Sequence, residues 1–221
     1  MALCSFNHLL AYLSSDIFEP EDDEVSLYLI TRKALCLTLL ATGRHIDEVS
    51  HLSQLITWED NGSLIRLHWL PNYMPKHYNK DFQPPMPAME CMSSDSPSDA
   101  RLCPVMALQS YLAIVHPATG STISHPLWSA KTVELSNMFK DTARRARRLA
   151  GDTDAFPVGP HQMRKFTASY SALMMLSSNL PEKKLLDRMG CKNMSVLNRT
   201  YINKVPRLTF RAVVPVGTFF P

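Results

Sequence analysis

No proline falls between Pro160 and Pro181, and that interval decides much of what the chain can fold into. Proline suits the first turn of a helix, where its missing N–H would have had no intrahelical partner. One helix is therefore predicted over about Pro160 to Leu176. Met163, Phe166, Tyr170, Leu173 and Met174 recur along it at helical spacing and give it one apolar face. His161 and Arg164 stand three apart, so they share a different face. A second short helix, about Pro181 to Met189, stops at Gly190, and a third carries Met194, Leu197 and Tyr201. The run thus places an imidazole, a guanidinium and a phenol on helices able to pack together.

Those three groups suit phosphate chemistry. Arg164 can clamp a phosphate through two parallel N–H donors. His161 can donate to a phosphate oxygen or move a proton near neutral pH. Tyr201 can attack phosphorus and leave later, splitting one hard step into two. Singly, each has a plainer reading: His-x-x-Arg as a polar helix face, Tyr beside apolar neighbours as core.

The rest of the chain supplies material for a mainly helical body. Its 221 residues allow one large domain or two small ones, and a 45% hydrophobic content suffices for a core. Residues 5–14 read as an amphipathic helix with Phe6, Leu9, Leu10 and Leu13 on one side. Residues 19–24 read as an acidic loop. Ser26 is placed to cap a helix through Thr42 that is apolar nearly all round, hence central and buried, and Gly43 ends it. Leu55–Trp58 and Leu64–Trp69 flank Asn61-Gly62, which predicts a hairpin with a two-residue turn. Residues 83–99, rich in Pro, Ser and Met, predict a loop with at most one short strand. Helices follow at about Cys103–Val115 and, after a connector, over some sixteen residues striped by Leu135, Met138, Phe139, Thr142, Ala146 and Leu149. Lys140, Arg144, Arg147 and Arg148 lie off that stripe.

Charge and cysteine usage bound the function only loosely. The formal net charge is +3, mildly basic. Its densest cluster is Arg144-Arg145-Ala146-Arg147-Arg148, which reads as a DNA-backbone contact, a solvated face or a nuclear-import patch. Five cysteines without C-x-x-C spacing read as reduced intracellular thiols, with neither a disulfide frame nor a zinc site. No apolar run is long enough to span a membrane and no secretory signal is apparent.

Four ordered segments together resemble one family. Pro160-His161-x-x-Arg164-Lys165-Phe166, Met189-Gly190, and Tyr201 some ten residues on, resemble the second box of the tyrosine recombinases (the phage-integrase family). The resemblance is nearest to the recombinases of DIRS-type and Crypton-type mobile elements. Leu102-Cys103-Pro104-Val105-Met106-Ala107-Leu108-Gln109-Ser110-Tyr111-Leu112 is similar to a segment of theirs, and Val213–Gly217 to their tail. The likeness runs from about Phe6 onward. It implies a mainly α fold with a small antiparallel β-sheet, of the tyrosine-recombinase catalytic type, in one domain over residues 1–221. The tail would be residues 203–221, and the family's N-terminal DNA-clamping domain would be absent.

The same resemblance assigns roles. Tyr201 would be the nucleophile, with Arg164 and His161 on the scissile phosphate. Lys76, or alternatively Lys80, would be the loop lysine that protonates the leaving 5′-oxygen. Arg44, Lys165, Arg144, Arg145, Arg147 and Arg148 would face DNA. The partner would be DNA, bound by a homo-oligomer (a tetramer in the family) in the nucleus, with no metal, cofactor or membrane. Two positions depart from the pattern. In Thr42-Gly43-Arg44-His45-Ile46-Asp47-Glu48, the register set by Gly43 and Glu48 puts His45 where the family has its first phosphate-binding Arg. Neighbouring residues in a helical turn point about 100° apart, so Arg44 substitutes only if the loop shifts, and is otherwise a surface charge. Cys191 stands where the family has a His or Trp donor, and a thiol donates weakly. The register implies that His45→Arg raises activity. These departures keep two other readings open: a catalytically degenerate DNA-binding module, and an interaction protein without a DNA role.

Overall fold

A computed structural model of the chain describes residues 2–18, 27–76, 78–92, 100–115, 124–152, 158–178 and 181–200. The acidic segment at 19–24, the cap Ser26, Tyr201 and the tail expected at 203–221 lie outside the described residues.

Helix α1 (Ala2–Leu13) buries Leu9, Leu10 and Leu13 as its periodicity predicts, and Tyr12 with them. Helix α2 (Leu27–Thr42) is the central helix. From Ile30 to Thr42 every residue is buried, including Arg32 and Lys33. A buried guanidinium needs compensation, and Arg32 finds it: it pairs with Asp141, donates to Thr142 Oγ1 at 3.1 Å and lies 4.0 Å above the Tyr28 ring. Gly43 ends α2 at φ +60°, where Leu39 accepts its N–H. A Cβ there would meet Met189 Sδ at 2.5 Å, so backbone shape and close packing both select glycine.

The short helix α3 (Ile46–Ser50) leads into a three-stranded antiparallel sheet of β1 (Leu52–Glu59), β2 (Leu64–Trp69) and β3 (Ala88–Glu90), in the order β1-β2-β3. Strand β2 alternates as a half-buried strand should: Ile65 and Leu67 face the core, and Met89 of β3 pairs with Ile65. The hairpin tip differs from the predicted two-residue turn. Glu59 pairs with Leu64, so four residues span the tip, and the left-handed positions are Asp60 (φ 48°) and Asn61 (φ 55°) rather than Asn61-Gly62. Asp and Asn both tolerate this region better than other side chains, so the pair preceding Gly62 takes the bend.

Helices α4 (Pro104–Val115) and α5 (Thr132–Leu149) pack beside α2, and α5 also packs on α1. Leu135, Phe139, Thr142 and Ala146 of α5 are buried as expected, but Leu149 is 74% exposed. Helix α6 (Pro160–Ser178) begins at its proline, and Met163 enters the main core while Phe166 stacks on Phe6 at 4.1 Å. Side chains beyond Ala172 in α6 are outside the described residues. A second, smaller cluster gathers Ala168 and Ala172 of α6 with Leu185 and Met189 of α7 (Glu182–Met189), Cys191, and Leu197 of α8 (Met194–Thr200). No helix among the described residues is long and apolar enough to cross a membrane.

Candidate functional site

The site forms where the end of α2, the start of α3, the first turns of α6 and the end of α7 converge, and Glu48 is its centre. The Glu48 carboxylate is buried and folds back to accept the His45 N–H at 2.8 Å, closing the first turn of α3. From there it meets two guanidiniums. Arg164 Nη1 lies 3.5 Å from Glu48 Oε2, and Arg44 Nη1 lies 3.7 Å from Oε1. Both arginines are 2% exposed.

One carboxylate cannot balance two buried cations, and main-chain carbonyls accept from both, although Arg44 Nε is buried without an acceptor among the described residues. Arg164 donates to Gly43 O and to Met189 O, each at 2.7 Å. Arg44 donates through Nη2 to Pro85 O at 2.6 Å and to Asp187 O at 2.9 Å. The four carbonyls come from the α2 terminus, the approach to β3 and the last turn of α7. Burial pulls the Arg44 pKa down to about 10, against the attraction of Glu48, so the guanidinium stays charged at neutral pH. The surface-charge alternative for Arg44 is therefore overturned: its side chain turns inward and joins Arg164.

Gly190 explains how the second guanidinium fits. It ends α7 at φ +61°, and a Cβ at this position would collide with the Arg44 guanidinium. The residue that the sequence marks as a helix stop also leaves room for Arg44. Cys191, next in the chain, is buried, and its thiol lies 3.8 Å from Arg164 Nη2 and 3.7 Å from Met189 O. Burial raises its pKa, with Arg164 pulling the other way, so it packs as a neutral thiol.

His45 and His161 stand at the outer side of the cluster. Their rings are parallel within 12° with centroids 6.3 Å apart, and His161 is exposed. Burial, then Lys165 and Arg164, lower the His161 pKa from its ordinary value, so at neutral pH its ring has one donor and one acceptor nitrogen. Lys165 is half-buried beside it.

The remaining candidates divide. Lys76 and Lys80 are both exposed in the segment joining β2 to β3, and among the described residues no hydrogen bond or ion pair ties either to the Glu48 cluster. On α5, Arg144, Arg145 and Arg148 are exposed, with Arg144 and Arg145 reaching Asp141 at 3.6 and 3.1 Å. Arg147 does not share that face. It is 9% exposed and clamps Asp152 with two bonds of 2.8 and 3.0 Å, so its placement off the buried stripe needs correcting. The stripe pattern hid this because the acceptor lies beyond the helix end. Tyr201 follows directly on α8 and lies outside the described residues. Among the described residues, no group of three metal-ligating side chains forms.

Sequence reasoning uses Glu48 only to set the register of its segment and misses its role as the shared counter-charge. An acidic residue four after one Arg is an ordinary helical pairing, whereas Arg164, far along the chain, is brought to the same carboxylate only by the fold.

No family model matches the sequence, and no curated protein matches it. A solved structure described as XerA recombinase is similar, with a TM-score of 0.52 and 18% identity over 90% of this chain. That match covers 59% of the other chain, so this chain spans about three-fifths of that protein's length. At such identity the likeness speaks for architecture and not for chemistry. The mainly helical fold with a small antiparallel sheet, expected from the sequence, is the fold observed, and a recombinase shares it.

Proposed function

We propose that this chain cuts and rejoins DNA strands through a 3′-phosphotyrosine intermediate, the chemistry of site-specific recombination and integration. The observation that supports it most is the meeting of Arg44 and Arg164 on Glu48, beside the facing rings of His45 and His161. In this reading Arg44 fills the role of the missing first-box arginine. Tyr201 attacks the phosphorus, and the 5′-oxygen leaves with a proton from Lys76 or Lys80. Arg164, Arg44 and His161 stabilise the crowded phosphorane by charge and hydrogen bonds, the two guanidiniums exchanging carbonyl partners for phosphate oxygens as they do so. Attack by a second 5′-hydroxyl then reverses the step on a new partner, and the energy of the broken bond is held in the ester. The whole chain would act as one catalytic unit, on DNA and as a homo-oligomer, in the nucleus, and would derive from a mobile-element recombinase.

A second reading is favoured by the same cluster. Both guanidiniums are turned onto carbonyls and Cys191 offers a weak donor, so the chain would bind DNA without cutting it. Removing one preorganised donor costs on the order of 10²–10³ in rate.

A suicide substrate separates the two: nicked duplexes of pooled random sequence, incubated with the chain and run on a denaturing gel. An adduct seen with the wild type and lost in Tyr201→Phe is the expected result. Salt-sensitive DNA binding with no adduct, from the wild type and from His45→Arg alike, would replace strand transfer by the binding-only reading.

A further inference from the structure

Two sulfurs meet outside the arginine cluster. Cys91 Sγ and Cys103 Sγ are 3.7 Å apart, and both are thiols. Cys91 follows β3, where its N–H is held by Ser63 O at 2.6 Å. Cys103 immediately precedes α4, with its N–H on Ala100 O at 3.1 Å and its own carbonyl accepting from Ala107 at 3.1 Å. Both backbones are thus fixed by their own elements, and the sulfurs are brought together by the packing of β3 on α4.

We propose that Cys91 and Cys103 are a dithiol that hydrogen peroxide oxidises to an intrachain disulfide. A disulfide bond is about 2 Å long, so the sulfurs need to close by roughly 1.7 Å. Cys91 is half-buried whereas Cys103 is 1% exposed, so Cys91 meets the oxidant first. Its thiolate attacks one peroxide oxygen, the O–O bond breaks, and the departing hydroxide takes a proton as water, leaving a sulfenic acid. Cys103, whose sulfur already accepts the Met92 N–H at 3.3 Å, attacks that sulfur as thiolate. The S–S bond forms and the second oxygen leaves as water. Two thiols and one peroxide give one disulfide and two waters. Burial raises the Cys91 pKa, so the first step quickens as pH rises.

The bond would matter beyond its own ends. Residues 85–90 and Pro104 line a cavity of about 320 Å³ that Arg44 also borders. Joining Cys91 to Cys103 pins two walls of this cavity together, next to the carbonyl of Pro85 that holds Arg44.

The test is intact mass and peptide mapping of the full chain, reduced, exposed to hydrogen peroxide, then alkylated. The expected result is a peptide linking Cys91 to Cys103, about 2 Da lighter than its two reduced halves together, in a chain that carries two alkyl groups fewer than the reduced control, with both changes reversed by dithiothreitol. In Cys103→Ser, Cys91 should instead be trapped by dimedone as the sulfenic acid. Full alkylation of both cysteines after peroxide, a disulfide mapped to another pair, or overoxidation of Cys91 in the wild type would each overturn the proposal.

Discussion

Glu48 shows how much one buried side chain can hold. In Glu48→Gln the amide oxygen still accepts the His45 N–H, so the α3 cap survives, but two buried guanidiniums lose their shared counter-charge. Breaking a buried pair from one side costs about 3–5 kcal/mol, and urea unfolding should show a loss of that size. Gly190→Ala should cost about 3 kcal/mol by the same measurement. A non-glycine residue at a left-handed φ carries about 1–2 kcal/mol of strain, and the new methyl also displaces the Arg44 guanidinium. His161 gives a signature in pH. Its folded pKa lies below the ordinary 6.5, so the unfolded chain binds the proton first as pH falls. Stability should therefore decline as pH drops below about 6.5 and level off below the folded pKa. His68 shifts in the same direction through burial. Urea midpoints compared between pH 7.5 and pH 5.5 should show the decline, with a shallower slope in His161→Gln.

Elements are legible in the sequence most securely where local chemistry decides them. The α6 start follows from Pro160 and the α7 end from Gly190, and each is where the pattern puts it. The hairpin tip is misplaced by the pattern because Asn-Gly outranks Asp-Asn as a turn signal, while the register here depends on which core-facing residues of β1 and β2 pair. Asp60→Gly should stabilise by up to about 1 kcal/mol, since glycine visits positive φ without a Cβ penalty, and a rise in thermal midpoint would check it. Arg147 escapes the pattern for a related reason: Asp152, its partner, sits past the helix in a segment with no periodicity to read. The inward turn of Arg44 is equally illegible. It depends on carbonyls of residues 85 and 187, whose positions are set by tertiary packing and not by neighbours in the chain.

Across the whole molecule, charge is distributed unevenly. Arg144, Arg145 and Arg148 stand exposed on α5, while Arg32, Arg44, Arg147 and Arg164 are enclosed. If the exposed three touch DNA backbone, replacing all three with Gln should lower the slope of log K against log salt by about 0.9 for each phosphate they had neutralised. Fluorescence anisotropy on duplex DNA across a salt series measures it, and an unchanged slope would place the DNA elsewhere. The enclosed arginines have a different consequence. Arg44 and Arg164 rivet the ends of α2 and α7 and the entry to β3 to one another through Gly43, Met189, Pro85 and Asp187. A phosphate reaching these guanidiniums would be a competitor for bonds that already hold the protein together. Its arrival would loosen α7 as it tightened the ligand, so occupancy and local rigidity would trade against each other.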